Sequence, residues 1–150
     1  MRRVPELEAE NRGDLPVLLV DGDELVGAKQ NRIINLTILV PPGKTIVIPV
    51  SCVEAGRWRF TSDRFQSSVH TMYAQAKAEN LRHVSASLEA SGRAASDQGA
   101  VWDSIRVKIA SMGVATPTEA MADIYKRHEG SVEEYARAIQ AVPGQVGATF

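Results

Sequence analysis

Ile34-Asn35-Leu36-Thr37-Ile38-Leu39-Val40, then Pro41-Pro42-Gly43-Lys44, then Thr45-Ile46-Val47-Ile48-Pro49-Val50 is the stretch that decides the fold. Ile34, Leu36, Ile38 and Val40 alternate with their neighbours, and Ile46, Ile48 and Val50 alternate again beyond the turn. A repeat of two puts alternate side chains on one face, and β-branched residues suit a half-buried sheet. The pattern predicts a hairpin. Pro49 has no N–H to give to a ladder, so an edge strand or a bulge is expected there.

Upstream, Leu15–Val20 and Glu24–Ala28 flank Asp21-Gly22-Asp23. Asp-Gly between apolar runs tolerates positive φ and predicts a further hairpin. Downstream, Cys52–Phe60 offers another strand, so about five short strands form a sandwich or barrel-like antiparallel sheet. After Phe60 the period lengthens. Tyr73, Lys77, Leu81, Val84 and Leu88 recur at helical spacing. Ser91–Ser96 reads as a loop, and Asp97 caps a helix carrying Val101, Trp102, Ile105, Ile109 and Met112, stopped by Gly113. Thr116-Pro117-Thr118-Glu119 has the form of a capping box opening a helix through Met121, Ile124, Tyr125 and His128, stopped by Gly130. Ser131-Val132-Glu133-Glu134 is a second box, before a helix that Pro143-Gly144 ends. The tail, Gln145–Phe150, resembles the start of a strand. The expected class is α+β, one domain over 1–150, β-rich over about 14–60 and helical over about 67–141.

The composition narrows the classes. Of 150 residues, 17 are basic and 18 acidic, for a net charge of −1, so nothing drives general nucleic-acid binding. The longest apolar stretches are about eight residues, short of the ~20 that span a bilayer. Met1-Arg2-Arg3 leads into Glu6, Glu8 and Glu10 rather than an apolar run, so no signal peptide is expected. Cys52 stands alone and forms no internal disulfide. Together these point to a cytoplasmic protein without nucleic-acid or membrane partners.

Two motifs fail on spacing. Pro42-Gly43-Lys44-Thr45 suggests a phosphate loop, but that loop needs a glycine at position 38, where Ile38 stands between strands. His128-Glu129 would begin a zinc-protease helix only with histidine at position 132, which is Val132. His70 and His83 lie far apart, so they read as surface histidines, and no metal or cofactor is expected.

Three stretches are chemically dense. Lys29-Gln30-Asn31-Arg32 puts four polar side chains after an apolar strand, either as a solvated loop or as a loop facing a ligand. Ser51-Cys52-Val53-Glu54 sets a thiol near a carboxylate, with a buried, inert Cys52 the stronger reading. Gly56-Arg57-Trp58-Arg59 would grip a planar anionic ligand by stacking and charge, or else cover the core edge with Trp58 while the arginines point away. Gln98 shares a helix side with Trp102, as core, cap or site.

These residues carry a resemblance. Asp21–Arg32, Ile48–Glu54 and Gly56–Trp58, followed by Asp97-Gln98, Val101-Trp102 and Pro143–Gly147, resemble the ARG- and rhodanese-phosphatase-superfamily-associated domain family. ARG there denotes ADP-ribosylglycohydrolase. The likeness spans Pro16 to Phe150 and implies a domain of unknown activity linked to ADP-ribose or NAD metabolism, without established catalytic residues. It also implies strands beyond both ends, so the chain is expected to be truncated and to complete its sheet with another copy or a partner protein.

Three functions follow, in order. An accessory domain would bind an ADP-ribose-like or other anionic molecule through Lys29, Gln30, Asn31, Arg32, Arg57, Trp58 and Gln98, provided the two β-region loops converge. A protein-interaction scaffold comes second. A hydrolase or transferase using Glu54 as base and Cys52 as nucleophile comes third; it requires an inward Glu54 within reach of Lys29 or Arg32.

Overall fold

The computed structural model describes residues 5–57 and 59–147, and its architecture is α+β. Among the described residues seven strands come first: β1 (Glu6–Glu10), β2 (Val17–Leu19), β3 (Asp23–Val26), β4 (Arg32–Ile34), β5 (Ile38–Val40), β6 (Thr45–Cys52) and β7 (Gln66–Thr71). Four helices follow: α1 (Ala74–Ser91), α2 (Gln98–Ser111), α3 (Met121–Arg127) and α4 (Glu129–Ala138). The main sheet has the order β1-β6-β4-β3-β7, and β2 pairs with β5 in a separate two-stranded ribbon.

The expected β segments are present, but they pair differently. β2 and β3 do not form a hairpin across Asp21-Gly22, because β2 pairs with β5 while β3 lies between β4 and β7. The Asp-Gly pair instead makes a corner between the ribbon and the sheet. Gly22 (φ 85°) donates its N–H to Ile34 O at 2.8 Å and accepts Met72 N–H at 2.8 Å. An added Cβ would stand 3.3 Å from both Lys77 and Thr71. Likewise β5 and β6 are not ladder partners across Pro41–Lys44. The run Ile34–Val40 bends at Asn35-Leu36, so its first part stays with the sheet and its last part leaves for the ribbon.

β6 keeps the expected alternation, with Ile48 and Val50 turned into the core. Pro49 is neither on an edge strand nor at a bulge; it lies in β6, between β1 and β4. Two features accommodate it. Val50 N–H donates to Pro5 O, which sets Pro49 at a non-hydrogen-bonded position of the β1 ladder. The β4 ladder starts only at Val50, and Pro49 O still accepts Asn35 N–H at 3.0 Å.

The strand expected over Cys52–Phe60 stops at Cys52, leaving one bridge between Glu54 and Ala120. α2 has its Asp97 cap, with Oδ1 accepting Ala100 N–H at 3.0 Å. The Thr116–Glu119 box does not open α3, which begins at Met121. Thr116 Oγ1 instead accepts Ala120 N–H and donates to Asp123, while Glu119 takes a φ of 52°. Gly130 and Ser131 lie inside α4, so neither stops nor caps a helix, and α4 ends before Pro143. Gln145–Gly147 is not strand, and the rest of that expected strand lies outside the described residues.

The core gathers Ile33, Val53, Met72, Ala76, Val101, Ile105 and Met121, from β4, the residues just after β6 and β7, and the first three helices. Each fully buried aliphatic side chain contributes roughly 1.5–3 kcal/mol. This packing holds the loops after β3 and β6 in fixed relation, which positions the polar site.

Candidate functional site

After β3 the chain makes an unusual turn. Gly27 passes so close to the neighbouring backbone that an added Cβ would lie 2.6 Å from Arg64 O, and Ala28 follows at φ 46°. Lys29 is exposed, but Gln30 and Asn31 turn inward, at 2% and 7% exposure. Buried polar side chains need partners, and these find them in the loop after β6. Gln30 Nε2–H donates to Glu54 O at 2.8 Å, and Asn31 N–H donates to Glu54 Oε2 at 3.2 Å.

Glu54 is buried, and its charge is met by Arg57, whose Nε–H reaches Oε2 at 2.6 Å. Thr118 donates to the other oxygen at 2.9 Å. The rest of the guanidinium is equally occupied. Nη2–H donates to Asn31 Oδ1 at 2.9 Å, and Nη1–H reaches Ala28 O at 3.1 Å, Arg59 O at 3.2 Å and Thr61 Oγ1 at 3.1 Å. The two loops therefore converge. The basic partner of the inward Glu54 is Arg57, rather than the Lys29 or Arg32 that the enzyme reading required.

Asn31 ties this knot to a second buried carboxylate. Its Nδ2–H donates to Oε1 of Glu24, a fully buried residue on β3, at 3.2 Å. Glu24 Oε2 accepts from Ser68 Oγ at 2.9 Å and from His70 Nδ1 at 3.1 Å, both on β7. Facing a carboxylate, the ring nitrogen must be the donor. The His70 ring stacks on Tyr125, centroids 4.7 Å apart and planes 10° from parallel.

The remaining expected residues lie around this network. The Cys52 thiol is buried, and burial raises its pKa against a smaller opposing pull from Arg32. The Gln98 side chain forms a two-point clamp on Cys52: Oε1 accepts its N–H and Nε2–H donates to its carbonyl, both at 2.8 Å. The Arg32 guanidinium lies 5.9 Å from the Phe65 ring centroid. Trp58 lies outside the described residues.

Sequence reasoning missed Glu24, Ser68, His70, Thr61 and Thr118. Glu24 carried a usable signal, being a carboxylate set directly before Leu25 and Val26 in the strand. His70 carried none, since its partner is 46 residues away on a neighbouring strand. Among the described residues no three potential ligands gather around a metal position, and no helix is long and apolar enough to cross a membrane.

An α+β domain whose loops are knotted by a half-buried arginine and two buried carboxylates is the class that fold and site define. The chain belongs to the ARG and Rhodanese-Phosphatase-superfamily-associated Protein domain family, whose model matches residues 1–150. No curated protein and no solved structure matches it.

Proposed function

We propose that this chain is an accessory domain of ADP-ribose or NAD chemistry in the cytoplasm, binding an anionic ligand where its two β-region loops meet. The supporting observation is that one nitrogen of Arg57 bonds the carbonyls of both Ala28 and Arg59. Lys29 and Arg59, both exposed, are thereby carried on backbone tied to a single point. Two cations held on rigid backbone suit a diphosphate, because the loop backbone that carries them need not be ordered on binding. Arg57, Asn31 and Gln30 set the loop geometry from beneath, and the family name supplies the link to ADP-ribose.

The test is thermal unfolding of the chain with and without ADP-ribose and NAD, repeated on Lys29→Ala/Arg59→Ala. A ligand at a hundredfold excess over its Kd adds about 2.7 kcal/mol. That corresponds to a rise of about 5–10 °C at this size. The double variant should unfold at the parent temperature but lose the rise. A wild-type midpoint indifferent to both nucleotides would remove the ADP-ribose reading.

A second reading, a protein-interaction scaffold, is favoured by the ribbon. Leu18 and Leu39 are cross-strand partners there, 59% and 58% exposed. Self-association in sedimentation that Leu18→Lys/Leu39→Lys abolishes would support it, and a strictly monomeric wild type would count against pairing of copies through this face.

A further inference from the structure

Between α1 and α2 the surface opens into a cleft of about 470 Å³, lined in part by Tyr73, Glu79, Asp103, Ser104, Val107 and Lys108. That volume falls within the range of small-molecule sites. A second space of about 10 Å³ adjoins it, sharing Glu79, Ala100 and Ser104 and lined also by Asn80 and His83. It admits one group the size of a water molecule or an amine head.

Asn80 is 3% exposed, and among the described residues its Oδ1 has no hydrogen-bond partner; neither has His83 Nδ1. A buried carbonyl oxygen without a donor bears the full cost of its lost hydration. Asparagine is also a poor residue for a helix interior, yet here it sits between Ala76 and Val84 on the buried face of α1. Helix propensity and core packing both argue against it, so its presence calls for a different cause.

We propose that the α1–α2 cleft is a binding site for a small N–H donor, a primary amine or primary amide on a compact apolar body. The head enters the inner space and donates to Asn80 Oδ1. The body lies against the Tyr73 ring and Val107 at the mouth. Tyr73 is fixed there: its hydroxyl and Ser104 Oγ are bonded at 2.8 Å, and Lys108 Nζ stands 5.3 Å from its ring centroid. Asp103 is already held by Arg106 at 2.5 Å, whereas Glu79 makes no ion pair among the described residues. Glu79 is the carboxylate left to meet an ammonium.

The site is independent of the Lys29–Arg59 corner and is tested separately. Amide chemical shifts of the whole chain are followed while benzylamine, benzamide and acetophenone are titrated in turn. The expected result is saturable change confined to residues 73–84 and 100–108 with benzylamine or benzamide, and none with acetophenone, which has no donor. Preference for benzylamine, weakened by Glu79→Gln, identifies an ammonium ligand; preference for benzamide, indifferent to that change, identifies an amide. Asn80→Leu should raise the unfolding temperature, because an unpartnered polar group is removed, and weaken binding by about tenfold or more. Absence of saturable change with both donors, equal response to acetophenone, or a less stable Asn80→Leu would overturn the proposal.

Discussion

Arg57 bonds one carboxylate, two backbone carbonyls, a side-chain amide and a hydroxyl, so its removal has consequences beyond a lost ion pair. Arg57→Met leaves Glu54 charged, buried and without its counter-ion, at a cost of about 3–5 kcal/mol. Urea denaturation measures this, and a loss below about 1 kcal/mol would class the pair with ordinary surface bridges. Arg57→Lys should recover little, since a single ammonium cannot span the same five partners. Cys52 makes a different prediction. Its pKa is raised by burial from an ordinary 9.0, so the folded state keeps a proton that the unfolded state releases. The stability it contributes is complete below about pH 9.0 and is lost as pH rises from there through the folded value. Tyr73 and Tyr125 are also raised by burial, but from 10.0, so the first part of the alkaline decline belongs to Cys52. Cys52→Ala should flatten that first part, and the native thiol should resist alkylation at neutral pH until the protein unfolds.

At the scale of elements, Gln98 acts as a partner for the end of β6. Its amide replaces the neighbour that β6 lacks beyond the end of the β1 ladder, and it joins the first turn of α2 to the sheet. Gln98→Ala strands the N–H and carbonyl of Cys52, at a cost of about 1–3 kcal/mol. Hydrogen exchange at the Cys52 amide should quicken by at least the same free energy; an unchanged rate would mean that another group fills the gap. The elements also mark the limits of legibility. The apolar runs at 15–20, 24–28, 34–40 and 46–50 were readable from their β-branched and alternating residues, although the buried hydrophobic ones, Ile34, Val40, Ile48 and Val50, belong to the last two, and α2 was readable from Asp97 and Gly113. Pairing was not readable, because local turn chemistry at Asp21-Gly22 says nothing of the bonds Gly22 makes to Ile34 and Met72. β1 and β7 escaped notice because Glu6–Glu10 and Gln66–Thr71 are polar edge strands, held by backbone ladders rather than apolar faces. The site was half legible. Lys29–Arg32 and Glu54–Arg57 announced dense chemistry, whereas Glu24 and His70 meet only through the sheet order.

In the molecule as a whole, the core ends at α3. Residues 129–147 are exposed throughout, and α4 buries none of its side chains despite carrying Val132 and Tyr135. Ending the chain after His128 should therefore leave the unfolding temperature unchanged by calorimetry. A fall of more than about 4 °C, roughly 1 kcal/mol or more at this size, would show that this segment supports the core. Protease should trim it first, since exposed backbone with few buried contacts opens at little cost.

Asn31 has a consequence for how such a chain can change over generations. Its N–H, both side-chain polar atoms and its carbonyl are all committed, to Glu54, Glu24, Arg57 and Val53. None of the residues one codon step away carries a side-chain amide, the group that donates to Glu24 and accepts from Arg57 here. Aspartate sets a third negative charge beside Glu24, lysine offers no acceptor to Arg57, and serine and threonine are too short to reach both sides. Each of those replacements therefore loses the bond to Glu24, the bond from Arg57 or both, and with it the link between the two buried carboxylates.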